Sequence, residues 1–140
     1  MPSDIQNATF EYKDPGEVDI RGYKPNVTGN EKQIRKVARE ISKAKRPLIC
    51  AGGGVIIAGA QELLAEFSRK HQIPVVTTMM GLGVIPSLDD LNAGMIGQFG
   101  NSPANYALNN TDTLIIIGAR VADRAVMKCR TIVQKQNPNR

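Results

Sequence analysis

Residues 46–54 read Arg46-Pro47-Leu48-Ile49-Cys50-Ala51-Gly52-Gly53-Gly54. Pro47 has no backbone N–H and ends any helix arriving from upstream. The apolar run 48–51 that follows stops abruptly at three glycines. A short continuous apolar run bounded by turn residues reads as a strand buried on both faces. Two further runs have this character. Residues 73–77 carry Pro74 near their start, where a missing N–H is tolerable. Residues 113–117 are apolar and β-branched, and they stop at Gly118.

Helical patterns fill the intervals. Ile34, Val37, Ala38 and Ile41 recur at i, i+3, i+4 and i+7, and the basic residues fall on the other face. Thr28 and Glu31 have capping-box spacing, with Asn30 as the other candidate cap. A second helix is expected near residues 60–70, with Leu63, Leu64 and Phe67 facing inward. A third is expected over 103–109, capped by Asn101 or Ser102. Residues 126–136 are weakly helical, and Pro138 closes them. Residues 79–100 hold five glycines and Pro86 and read as loop with short helical pieces. Residues 1–29 are rich in Pro and Gly and read as an extended connector outside the domain.

Strands alternating with helices predict an α/β fold: three layers, α/β/α, around a parallel Rossmann-like sheet. Right-handed crossovers bring all strand C-terminal ends to one edge, where ligands of such sheets bind. The turns at Gly52-Gly53-Gly54, at Thr78-Met79-Met80 and at Gly118-Ala119-Arg120 should therefore converge.

Composition bounds what this edge can do. The chain has 140 residues, enough for one ordinary domain. With two cysteines and one histidine it has neither a disulfide framework nor a four-cysteine zinc site, and a Ser/His triad is disfavoured. No apolar run reaches the roughly 18 residues of a membrane span. Met1 is followed by Pro2, Ser3 and Asp4, which is no signal peptide, so a reduced, cytoplasmic setting is expected. Net charge is +5, made of two basic blocks, 30–46 and 118–140, each +5, and a remainder of −5. Neither block carries a nucleic-acid-binding motif, and solvated helix faces account for them.

The glycine turn matches neither standard phosphate motif. Ile57 stands where a dinucleotide fingerprint needs its third Gly, and no acidic residue ends the second strand. Ala60 and Gln61 replace the Lys and Ser/Thr of a phosphate loop. Two readings remain open: a tight turn, or close approach of a ligand to bare backbone. Arg120 and Arg124 follow the third strand and suit phosphate, unless one pairs with Asp112 or Asp123. Met79 and Met80 read as core filler or as a soft wall for a planar ring. His71 ends a helix and reads as structural, and Cys50 as a buried strand residue. Cys129 lies between Lys128 and Arg130 with nothing to place a base beside it. Asp89-Asp90 read as part of a solvated loop. No catalytic residue and no metal-ligand cluster is legible.

Three segments carry a family resemblance: RPLICAGGG (46–54), IPVVTTMMGLGVIP (73–86) and MIGQFGNSPANYALNNTDTLIIIGARVADR (95–124). Together they resemble the central domain of acetolactate synthase large subunits, thiamine-diphosphate-dependent enzymes of branched-chain amino acid biosynthesis. Pro2-Ser3-Asp4-Ile5-Gln6 is similar to the junction that closes that family's pyrimidine-binding domain. The resemblance implies a six-stranded parallel sheet, an FAD nucleotide bound by this domain without a redox role in the main reaction, and a homo-oligomeric parent, dimer or tetramer. It also implies that thiamine diphosphate and Mg2+ are held by the pyrimidine- and diphosphate-binding domains. The flavin contacts it implies are Gly52, Gly53, Gly54, Thr78, Met79, Met80, Ile96, Gly97, Gln98, Phe99, Gly118, Ala119, Arg120 and Arg124. Gln98, Phe99 and Ala122 depart from the family pattern of Met, His and an acidic residue. Glyoxylate carboligase and sulfoacetaldehyde acetyltransferase are alternative parents, and a stand-alone nucleotide-binding domain is the alternative of another class. The expected organisation is a linker over 1–29 and an FAD-type domain over 30–140, truncated at its C-terminus and inactive by itself.

Overall fold

The computed structural model describes residues 2–14, 16–17, 19–24, 26 and 28–120. The tail helix expected over 126–136, and with it Arg124 and Cys129, lies outside the described residues. Element order is α1 (Ser3–Asn7), α2 (Glu31–Lys43), β1 (Pro47–Ala51), α3 (Gly53–Ile57), α4 (Gln61–His71), β2 (Val75–Thr77), a 3-10 turn (Met79–Gly81), β3 (Asn92–Met95), α5 (Ser102–Asn110) and β4 (Thr113–Ile117). The strands form one wholly parallel sheet in the order β3-β2-β1-β4. Central β1 places Ile49 beside Val75 on one side and Ile115 on the other.

Alternation along the strands sends successive side chains to opposite faces and makes two cores. Ile49, Ala51 and Val75 pack with Val55 of α3 and Leu64 of α4, with Phe67 and Ile41 at the margin. Leu48, Cys50 and Val76 pack with Ala104 and Leu108 of α5. The expected three-layer α/β/α arrangement is therefore present. Burial pushes the Cys50 thiol pKa up, in keeping with an inert strand cysteine.

Several expectations are corrected. Residues 79–100 contain a strand, β3, whose Asn92, Ala93 and Gly94 have poor strand propensity. Pairing with β2 holds it, across a register shift between Val75 and Val76. Gly94 has φ +98°, and the Asn101 side chain occupies the space its Cβ would need. A short helix, α3, begins inside the glycine run, ahead of the helix expected near residues 60–70. Leu63 is exposed, and α4 buries Leu64, Ala65 and Ser68 instead. On α2, Ile34 and Val37 stand in solvent and Ile41 alone of that stripe reaches the core margin. The connector 1–29 includes one exposed helical turn, α1. Of the alternative caps, Asn30 accepts from the Gln33 N–H at 3.2 Å and Asn101 from the Ala104 N–H at 3.2 Å.

Two carboxylates anchor the sheet away from its ligand edge. Asp112 accepts from the backbone N–H of Lys45 (2.9 Å) and Arg46 (3.1 Å), tying the start of β1 to the start of β4. Asp89, expected in a solvated loop, accepts two bonds from Arg69 (3.0 and 2.6 Å) and one from the Leu91 N–H (3.1 Å), so it pins the approach to β3 onto α4. Desolvation pulls the Asp112 pKa up, but the Lys45 and Arg46 N–H bonds outweigh it and leave it below the ordinary carboxylate value. The Leu91 N–H and the Arg69 guanidinium lower that of Asp89. A pKa depressed by folding adds stability above the unfolded value, about 3.9 for Asp, and that stability disappears as pH falls through the folded value. Thermal unfolding should accordingly show little pH dependence from this pair between pH 7 and pH 5, where its contribution is complete, and a falling midpoint below about pH 4. In the Asp89→Asn, Asp112→Asn double variant the midpoint should be lower at pH 7 and the acid-side fall shallower.

Candidate functional site

The C-terminal strand ends meet through backbone contacts that only glycine permits. The Gly52 N–H donates to the Ile117 carbonyl (2.9 Å) and the Gly54 N–H to the Gly118 carbonyl (2.9 Å). The Thr78 N–H donates to the Ala51 carbonyl (2.9 Å), and the Ile96 N–H to the Thr77 carbonyl (2.9 Å). A Cβ on Gly54 would lie 2.8 Å from the Gly118 Cα, and one on Gly53 would lie 2.9 Å from the Met80 carbonyl oxygen. One on Gly52 would strike the Gly118 carbonyl and Ala119. The space left by the missing side chains is thus filled by neighbouring turns. Convergence of the three glycine-bearing corners is observed, and tight backbone packing accounts for the glycines without a ligand.

The side chains on the rim divide by role. Met79 is 63% exposed and Met80 75%, so neither is core filler, and both are free to meet an apolar surface. Phe99 is 79% exposed and Gln98 is exposed beside it. Ile96 instead turns its side chain into the α5 core, which leaves its backbone alone at the rim. Gly97 and Thr78 are half-buried. Arg120 is exposed and forms no ion pair among the described residues. Asp112, one of its two candidate partners, is at the opposite end of β4 and is taken by backbone N–H groups. The buried Thr77 hydroxyl, in the last residue of β2, has no hydrogen-bond partner among the described residues. His71 packs its ring against Phe67 at 4.7 Å, a structural role.

This rim spans four strand ends, about 14 Å at the usual spacing between neighbouring strands. It offers exposed thioethers and an aromatic ring at the β2 and β3 ends and a guanidinium at the β4 end. Such a donor set fits a ligand with a planar ring and an anionic group. The family model of the thiamine pyrophosphate enzyme central domain matches residues 34–139. The chain belongs to that family.

Relatives of this central domain agree. A protein named "Probable acetolactate synthase large subunit", of Methanocaldococcus jannaschii, is 45% identical over 127 residues, which are 89% of this chain and 22% of that protein. The acetolactate synthase large subunit of Corynebacterium glutamicum is 43% identical over 124 residues, 89% of this chain and 20% of that protein. That of Haemophilus influenzae is 38% identical over 126 residues, 89% of this chain and 22% of that protein. The chain therefore spans about a fifth of the length of the curated relatives it matches. Among the described residues, no helix is long and apolar enough to cross a membrane.

Asn105 lies within the segment that carries the family resemblance but is not among the expected site residues. Its side chain grips Gly97, accepting from the N–H at 3.0 Å and donating to the carbonyl at 3.0 Å, and so braces the segment 96–99 against α5. Asn is common in helix termini and turns, so nothing in the local pattern marks an eight-residue reach back to a loop.

Because the atoms facing Gly54 are backbone and cannot step aside, Gly54→Ala should destabilise the domain by about 1–3 kcal/mol. Urea unfolding with an unchanged slope and a lower midpoint is the expected result.

Proposed function

We propose that this chain serves as the central domain of an acetolactate synthase large subunit and that its strand-end rim receives the nucleotide of FAD. The observation that carries the reading is the meeting of Gly52–Gly54, Met79–Met80 and Gly118–Arg120 at one sheet edge in a chain 38–45% identical to proteins bearing that name. Arg120 would hold a phosphate, and Met79, Met80 and Phe99 would lie against a ring system. In the biosynthetic enzymes that this domain resembles, the flavin has no redox role in the main reaction.

The whole enzyme joins two 2-ketoacids and releases CO2 from pyruvate. Thiamine diphosphate and Mg2+ belong to its pyrimidine- and diphosphate-binding domains. Those domains, and further copies of the chain in a homo-oligomer, are the partners this reading assigns. The chain's own part is to bind and orient the nucleotide and to support packing of its neighbours. The exposed Ile57, Met79, Met80, Leu82 and Phe99 are surface that such neighbours would cover. Gln98 and Phe99, the departures from the family pattern, fall on this surface.

Fluorescence titration with FAD, NAD, ADP and coenzyme A tests the ligand. FAD should be preferred, with an affinity weaker than micromolar for this chain alone, and Arg120→Ala should weaken it about tenfold, as loss of a charge-assisted hydrogen bond would. Preference for another nucleotide, or no binding, would reject the flavin assignment. Supplied with pyruvate, thiamine diphosphate and Mg2+, the purified chain should form no acetolactate, and detectable product would overturn its assignment as a non-catalytic domain.

A further inference from the structure

The loop that follows β3 takes a tight conformation that glycine alone adopts freely. Gly97 sits at φ +108°, which side-chain-bearing residues rarely adopt. Gly100 folds back so closely that a Cβ there would lie 2.6 Å from the Ile96 carbonyl carbon and 2.9 Å from the Gly97 nitrogen. The Gly100 N–H donates to the Gly97 carbonyl at 3.0 Å, and the Asn101 N–H to the Met95 carbonyl at 2.9 Å. Gln98 and Phe99 are left as the projecting side chains of this tight bend.

Both backbone polar atoms of Gly97 are engaged by the one carboxamide of Asn105. A carboxamide suits this task because it offers a donor and an acceptor side by side, complementary to a peptide group. Asn105 is in the second turn of α5, and the Asn101 cap and the burial of Ala104 and Leu108 fix that helix on the sheet. Rigidity of the core is thereby passed to the bend through two hydrogen bonds.

We infer that Asn105 is a positioning residue: its carboxamide sets the 97–100 bend so that Gln98 and Phe99 face the ligand rim. The effect on a ligand rests on the flavin reading above. The brace itself does not, so the test separates them.

Amide hydrogen exchange and FAD titration, both followed by NMR on the full 140-residue chain, provide the two readouts. In Asn105→Ala, a change that favours helix, the protection factor at Gly97 should fall at least about tenfold while amides of β1 and β2 keep theirs, the signature of local rather than global opening. FAD affinity should fall by a similar factor. Phe99→Ala should weaken FAD but leave Gly97 protected. Asn105→Asp supplies the diagnostic. Its carboxylate keeps the acceptor but has no donor for the Gly97 carbonyl, whereas the protonated acid has both. Protection and affinity in that variant should therefore recover as pH is lowered from 7 towards 4, while the wild-type chain stays level across that range. Unchanged Gly97 protection in Asn105→Ala, or an Asn105→Asp variant indifferent to pH, overturns the inference. If the wild-type chain binds no FAD while Asn105→Ala opens the bend as described, the brace stands and the flavin reading fails.

Discussion

The turns that leave the strands of this parallel sheet pack against one another more closely than a Cβ allows. In this chain Gly54 lies against Gly118, Gly52 against Ala119, and Gly81 against the Ala51 carbonyl. Hydrogen bonds between the 52–54 and 117–118 segments close the gap between β1 and β4, and the Thr78–Ala51 bond closes the gap between β1 and β2. The position of Met79, Met80 and Arg120 relative to one another follows from those contacts. Without them the strands would still pair through their middles, but the rim side chains would have no common frame.

The opposite edge is secured by charge. Asp112 receives the backbone N–H groups that open β1, and Asp89 joins the C-terminal turn of α4 to the segment before β3. Both carboxylates spend their lone pairs on strand entry points, away from the ligand rim. The division has a physical basis: in a parallel sheet the strand exits are left to loops, and those loops are free to carry binding side chains once the entries are secured. Arg120, which forms no ion pair among the described residues, belongs to the exit side.

Legibility of the strands in the sequence followed their continuous apolar runs. The runs of β1, β2 and β4 are continuous apolar segments, and their boundaries lie close to the expected ones. β3 was hidden because Asn92, Ala93, Gly94 and Met95 carry no apolar run. Leu63 illustrates the opposite error. It is apolar and adjacent to a core residue, yet the 100° step between successive helix positions turns it into solvent while Leu64 packs. At the rim, the glycine corners and Arg120 could be placed from strand ends. The exposure of Met79 and Met80 and the engagement of Asp112 could not, since each depends on what a distant segment does.

From the amino-acid order alone came the fold class, the parallel sheet, the convergence of the glycine corners and the likeness to a thiamine-dependent enzyme's middle domain. The first three rest on local periodicity and on the handedness of crossovers, which nearest neighbours in the chain and general stereochemistry dictate; the likeness rests on the residues of segments 46–54, 73–86 and 95–124. Tertiary structure decided why the glycines are glycines, which carboxylates anchor strands, and how Asn105 grips Gly97. Those are contacts between segments far apart in the chain or set by a bend and a helix together, and a one-dimensional pattern holds no record of the distance across which two backbones finally meet.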